Sequence, residues 1–159
     1  SGAAAQLWSG GGSFGAGVFT NPERYNFSIF TTGNTWRSWY RDAQKDLLLA
    51  STNAENLGLS NAVAQCKIMS ALVYWYTTVL WEDVPYSEAV DIDVATGSIN
   101  NRNPRFDSQA DVLQGVIDTI DEALLLIDEG SPALAIQAED LMFNGDMVRW
   151  RKFAKSIKF

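Results

Sequence analysis

The stretch from Asn61 to Trp81 constrains the fold most, because it has helical length and is apolar on nearly every face. Val63, Cys66, Met69, Val73, Tyr76 and Leu80 fall along one side of a helix, and Ala64, Ile68, Leu72, Trp75 and Val79 along another. A helix with so little polar surface is central to its domain and must be covered from more than one direction. Ser60 and Asn61 supply its expected cap. Asp83-Val84-Pro85-Tyr86 supplies its stop, with Pro85 blocking continuation and Asp83 accepting backbone hydrogen bonds. Cys66, the single cysteine, lies inside this run, cannot form an internal disulfide and reads as a buried structural thiol.

The covering elements are also helical. Trp36, Trp39, Tyr40, Ala43, Leu47 and Ala50 recur at helical spacing, with charged residues on the other sides, to about Ser51. Asp107 or Ser108 caps a third helix with the stripe Leu113, Val116, Ile117, Ile120, Leu124 and Ile127, stopped by Gly130 with Pro132 beyond. Asp146 caps a last one carrying Trp150, Phe153, Ala154 and Ile157, which meets no stop signal before Phe159 and reads as cut off. Helices are therefore expected near 34–51, 61–81, 108–129 and 146–159. Leu72, Val73, Ile117, Ile120, Leu124 and Trp150 should be deeply buried. No alternating run of strand length occurs, so the expected fold is all-α, built of antiparallel helix pairs with long loops. Residues 1–33 form a loop-rich segment with Gly10-Gly11-Gly12, and residues 34–159 the helix pairs, together one partial domain.

Composition removes several function classes. Twelve Lys and Arg stand against 19 Asp and Glu, a net charge of -7 with no histidine, which disfavours nucleic acid. Without histidine and with one cysteine, a zinc site is excluded. Oxygen ligands remain, but Asp91-Ile92-Asp93 offers too few, and Asp140-Leu141-Met142-Phe143-Asn144-Gly145-Asp146 lacks calcium-loop spacing. It reads instead as a turn at Asn144-Gly145 followed by a cap at Asp146. No metal and no cofactor is expected. Glu82, Asp83, Glu88, Asp91 and Asp93 are clustered enough to consider a glycosidase pair, but the turn explains the first of them better, and no catalytic residue is assigned. From Asp107 to Asp146 there is no Lys or Arg, after which Arg149, Arg151, Lys152, Lys155 and Lys158 follow. Either the third and last helices pair their charges, or both faces are simply solvated.

Three motifs punctuate these helices in order: Leu80-Trp81-Glu82-Asp83-Val84-Pro85-Tyr86-Ser87-Glu88-Ala89, then Pro104-Arg105-Phe106-Asp107-Ser108-Gln109, then Asp140 to Asp146 leading into Val148-Arg149-Trp150-Arg151-Lys152-Phe153-Ala154-Lys155-Ser156-Ile157. Together they resemble the SusD-like outer-membrane lipoproteins, from about Asn61 onward. Glu82 departs from the glycine usual there, so that backbone is not expected to need a positive φ, and Lys155 stands where asparagine is common. The resemblance implies tetratricopeptide-like helix pairs and an N-terminal part of a longer protein. It also implies a cell-surface lipoprotein, anchored through a lipid outside this chain. Such a protein captures an oligosaccharide or peptide and hands it to a SusC-like TonB-dependent transporter without bond-breaking. A helical scaffold for protein partners and, less so, a carboxylate-dependent glycoside hydrolase are the other readings.

For ligand contact the residues favour Trp8, Phe19, Asn21, Arg24 and Tyr25. Flat aromatic faces match the apolar faces of sugar rings, and the polar neighbours can hydrogen-bond hydroxyl or peptide groups. Trp36, Trp39, Trp75, Trp81 and Trp150 lie on helical stripes or helix ends and read as core.

Overall fold

The computed structural model describes residues 29–93, 95–96, 98–131 and 139–158. The chain divides into two compact units, 1–38 and 39–159. Described elements are α1 (Ile29–Arg37), a π-helical segment (Ser38–Gln44), α2 (Lys45–Asn56), α3 (Ser60–Trp81), the two-residue strands β1 (Ile92–Asp93) and β2 (Ser98–Ile99), α4 (Gln109–Leu126) and α5 (Met147–Ile157). The strands pair antiparallel, Ile92 opposite Ile99 and Asp93 opposite Ser98. The fold is all-α, as expected, and among the described residues no helix is long and apolar enough to cross a membrane.

The first helical region differs from the expected 34–51 at both ends. Helix begins at Ile29, because Gly33 and Asn34 are tolerated inside α1 on an exposed face. It continues past Ser51 to Asn56, where Gly58 at φ 68° supplies the left-handed residue that ends it. The start of α3 differs too. Leu59 stands at its N-cap without a side-chain cap bond. Asn61 is buried instead: its Nδ2 donates to the carbonyls of Asp128 (2.8 Å) and Ser131 (2.7 Å), while its Oδ1 accepts from Asp128 N–H (2.8 Å). A residue read as a cap thus ties the start of α3 to the chain leaving α4.

α3 is central, packing most extensively on α4, next on α2, and also on α5. Its deepest positions are Ala64, Ile68, Ala71, Thr77 and Thr78; those of α4 are Val112, Val116, Ile120 and Ala123. Ile120 and Trp150 are buried as expected, whereas Leu72, Val73, Ile117 and Leu124 are only half-buried. The centre of the packing thus runs along Ala64, Ile68 and Ala71 of α3 and Val116, Ile120 and Ala123 of α4, where small side chains alternate with larger ones. A pattern weighted by hydrophobicity places that centre one residue off. α5 adds Met147, Trp150 and Ala154 to the core.

α3 ends at Glu82, which adopts φ 62° and ψ -111° against expectation. Two hydrogen bonds hold it there: Glu82 N–H donates to the Thr78 carbonyl (2.8 Å), and Thr78 Oγ1 donates to the Glu82 carbonyl (2.7 Å). This backbone region suits glycine and costs other residues about 1–3 kcal/mol. Glu82→Gly should therefore raise stability, by up to about 1 kcal/mol after the entropy of glycine is subtracted. Urea unfolding measures it, and a less stable variant would contradict the assignment of strain.

Candidate functional site

The connection from Val84 to Asp107 is closed at its base. Val84 and Asp107 exchange backbone hydrogen bonds (3.2 and 3.0 Å) in an isolated antiparallel bridge, and Val84 is fully buried. The Asp107 carboxylate, 8% exposed, then collects Tyr86 N–H (3.0 Å), Ser87 N–H (2.7 Å), the Ser87 hydroxyl (2.9 Å) and an ion pair with Arg105 (3.2 Å). Burial alone would push this carboxyl up; the donors from Ser87 and Tyr86 together with Arg105 outweigh it and hold it below the usual range. Asp83 accepts from Gln109 N–H (2.9 Å) at the start of α4, where Ser108 is the N-cap and accepts from Asp111 N–H. The first two motifs are therefore one device. Asp83, expected to satisfy its own turn, reaches across to the next helix, and Asp107, a candidate cap, reaches back to the turn.

That device seats Tyr86. Its ring packs edge-on against Tyr74 at 4.8 Å, and Tyr74 in turn against Tyr40 at 6.2 Å. Tyr40 comes from the π-helical segment and donates its hydroxyl to the Pro85 carbonyl (2.7 Å). Burial, then the neighbouring Tyr74 and Asp107, raise the Tyr40 hydroxyl pKa; burial, then Tyr86 and Asp107, raise that of Tyr74. On its other side Tyr86 lies against Gly115 in the middle of α4, where a Cβ would fall 2.4 Å from the ring. Glycine within a helix normally costs about 0.8–1 kcal/mol relative to alanine. Here Gly115→Ala should instead destabilise, by about 1–3 kcal/mol, because the ring has to move. A stabilised variant in thermal or urea unfolding would contradict the seating of Tyr86.

Tyr86 lines a cleft of about 460 Å³. Gln44, Leu48 and Ser51 form one wall, Ser70 and Tyr74 on α3 the floor, and Thr119 of α4 stands opposite. Gln44, which is buried, donates to the Ser70 carbonyl (3.0 Å) and accepts from the Ser70 hydroxyl (2.6 Å), so wall and floor are fixed to each other. Val90, also lining the cleft, has φ 56°, a rare conformation for a β-branched residue.

A second knot closes the Asp140 loop. Its Oδ1 accepts from the N–H groups of Met142 and Phe143, and its Oδ2 from Gly145 N–H (2.9 Å), the Trp150 indole (2.6 Å) and Gln65 of α3 (3.2 Å). Asn144 and Gly145 have positive φ and Asp146 caps α5, as expected. Burial pushes the Asp140 carboxyl up, but the Trp150 indole and the three backbone donors hold it below its usual range. A depressed pKa contributes stability above the unfolded value of about 3.9, and that contribution disappears as the pH falls through the folded value. Asp140→Asn should therefore lower stability at pH 7 by about 1.5–3 kcal/mol. The gap to wild type should narrow below about pH 4; a gap independent of pH in urea unfolding would contradict a charged Asp140.

Two members of the late basic run pair with the region of the third helix, while Arg149 meets Asp146 and Lys152 and Lys155 are exposed. Lys158 meets Asp121, and Arg151 meets Glu129 while donating to the carbonyls of Leu124 (3.2 Å) and Ile127 (3.1 Å) at the end of α4. Among the acidic cluster, Glu88 accepts from Asn101 and Arg105, Asp91 from Asn100, and Asp93 from Ala95 and Thr96. Where a described carboxyl departs from its ordinary value, at Asp93, Asp107, Asp128 and Asp140, it moves down. A general acid at neutral pH needs the opposite. Among the described residues no group of three or more potential ligands could hold a metal ion.

Trp8, Phe19, Asn21, Arg24 and Tyr25 lie outside the described residues. Trp39, Trp75 and Trp81 are half-buried, not core: Trp39 packs edge-on against Trp81 at 5.3 Å and beside Tyr76, which is 48% exposed. The cleft escaped sequence reasoning because its hydroxyl residues are scattered over three helices. Gly115, an interruption in an otherwise regular helix, was the available signal.

Helix pairs knotted by these motifs can be compared with known proteins. A family model described as "Starch-binding associating with outer membrane" matches residues 5–159. The chain belongs to the SusD-like family. The solved structure of a chitin-binding protein is similar with a TM-score of 0.74 at 26% identity, over 98% of this chain and 31% of its own. The SusD-like chain thus spans about a third of that protein's length. No curated protein matches it.

Proposed function

We propose that this SusD-like chain is part of a cell-surface, outer-membrane lipoprotein that binds glycans for uptake and is not an enzyme. The family match over residues 5–159 carries the reading, and the likeness to a chitin-binding protein over nearly the whole chain supports it. Captured glycan passes to a SusC-like TonB-dependent transporter. Affinity comes from aromatic stacking and a few hydrogen bonds, and no bond is broken. Trp8, Phe19, Asn21, Arg24 and Tyr25 contribute a contact rim, since ring faces and amide or guanidinium groups are what a sugar presents itself to.

Isothermal calorimetry with N-acetylglucosamine oligomers, maltose-series oligomers and mixed peptides tests the reading. Glycan binding is expected, weakened at least about tenfold by Trp8→Ala. Capture of peptides alone would replace the reading with a peptide-binding scaffold. Glycan affinity unchanged in Trp8→Ala and Tyr25→Ala would remove the rim.

A further inference from the structure

We infer that the cleft walled by Gln44, Leu48 and Ser51 on one side and Thr119 on the other is a carbohydrate contact site in its own right, taking a short, neutral, hydroxyl-rich chain. This rests on the glycan reading above and assigns contacts to residues other than those of the 8–25 rim. Its volume of about 460 Å³ lies within the range of small-ligand sites, about 300–1,000 Å³.

The hydrogen-bonding character of the lining selects the ligand class. A hydroxyl has one proton and two acceptor lone pairs. Three hydroxyls of the lining commit that proton to the protein and keep a lone pair: Thr52 to the Leu48 carbonyl (3.0 Å), Ser70 to Gln44 Oε1 (2.6 Å) and Thr119 to the Gly115 carbonyl (2.8 Å), whereas Ser87 Oγ is already filled by Arg105. The three line the cleft with acceptor capacity, and a partner that uses it must bring donors, as sugar hydroxyls and acetamido N–H groups do. Of the charged side chains of the lining, Lys67 is already paired with Glu122 (2.9 Å) and Glu55 accepts from Ser51, so the lining offers an anion no unpaired cation. Leu47 and Leu48 offer the apolar surface that the ring C–H faces need.

The cleft is also held in shape at visible cost. Gly115 interrupts α4 at the point where Tyr86 lies, and the Tyr86 hydroxyl reaches to 3.4 Å from Thr119 Oγ1 inside the cleft. Val90 keeps a positive φ at the same lining. Residues held in unfavourable backbone conformations persist where their surroundings fix them, and such sites concentrate around ligands.

The test is calorimetry on the full chain with an N-acetylglucosamine tetramer and a maltose-series heptasaccharide. Ser51→Trp fills the cleft from the α2 wall. Tyr86→Phe and Thr119→Val remove one hydroxyl each and keep the packing, so they carry the test if the tryptophan variant fails to fold. The expected result is a loss of about tenfold or more in Ser51→Trp and of about three- to tenfold in the hydroxyl variants, with melting temperatures close to wild type. Binding by wild type that is equally strong in folded cleft variants overturns this site and leaves the glycan reading standing. No binding of either oligosaccharide by wild type overturns both.

Discussion

The Asp107 carboxylate is the contact on which the rest of the structure depends. It sits nearly buried between the turn that ends α3 and the start of α4, and accepts two backbone N–H groups and a hydroxyl from that turn. Hydrogen bonds to a charged group are worth about 1.5–3 kcal/mol, and a donor left unpaired in the interior costs a similar amount. Removing one side chain therefore releases the turn, the Val84 bridge and the seat of Tyr86 together. Asp83 makes the reciprocal connection to Gln109 N–H, so the two helices are joined by carboxylates pointing in both directions.

The same principle recurs at the other end of α3. Asp140 gathers backbone donors from its own loop, the Trp150 indole from α5 and Gln65 from α3. Asn61 does the equivalent with the backbone around Asp128 and Ser131. An apolar helix covered on several sides has nothing directional in its packing to set where its neighbours stop. Three polar side chains, the buried Asp107 and Asn61 and the half-buried Asp140, provide that register. Arg151 adds a charge suited to the α4 C-terminus, whose free carbonyls it meets.

Much of this was legible in the residues. The spread of apolar residues over nearly every face from Asn61 to Trp81 identified the central helix, and Ser108, Asn144, Gly145 and Asp146 identified the turns and caps that the structure has. The failures share a cause: local pattern does not reveal long-range partners. Asn61 beside Ser60 looks like a cap, and only the arrival of residues 128 and 131 makes it a buried tie. Glu82 looked free of strain because its holding partner, Thr78, lies within the helix as an ordinary residue. Leu72 and Val73 outrank Ala71 in hydrophobicity, yet the alanine is the more deeply buried. The serine and threonine side chains that contribute to the cleft carry no periodic signal, and the aromatic rim suggested by Trp8 and Tyr25 falls outside the described residues.

Site and scaffold are therefore linked through one side chain: Asp107 holds Tyr86 by its N–H, and Tyr86 lines the cleft. Amide hydrogen exchange of Asp107→Ala at pH 7 addresses this link most directly. The account predicts that protection falls first and most at Val84, Tyr86, Ser87 and Gln109, while the middle of α3 around Ile68 stays protected. Unchanged exchange at Tyr86 and Ser87 in the folded variant would contradict it.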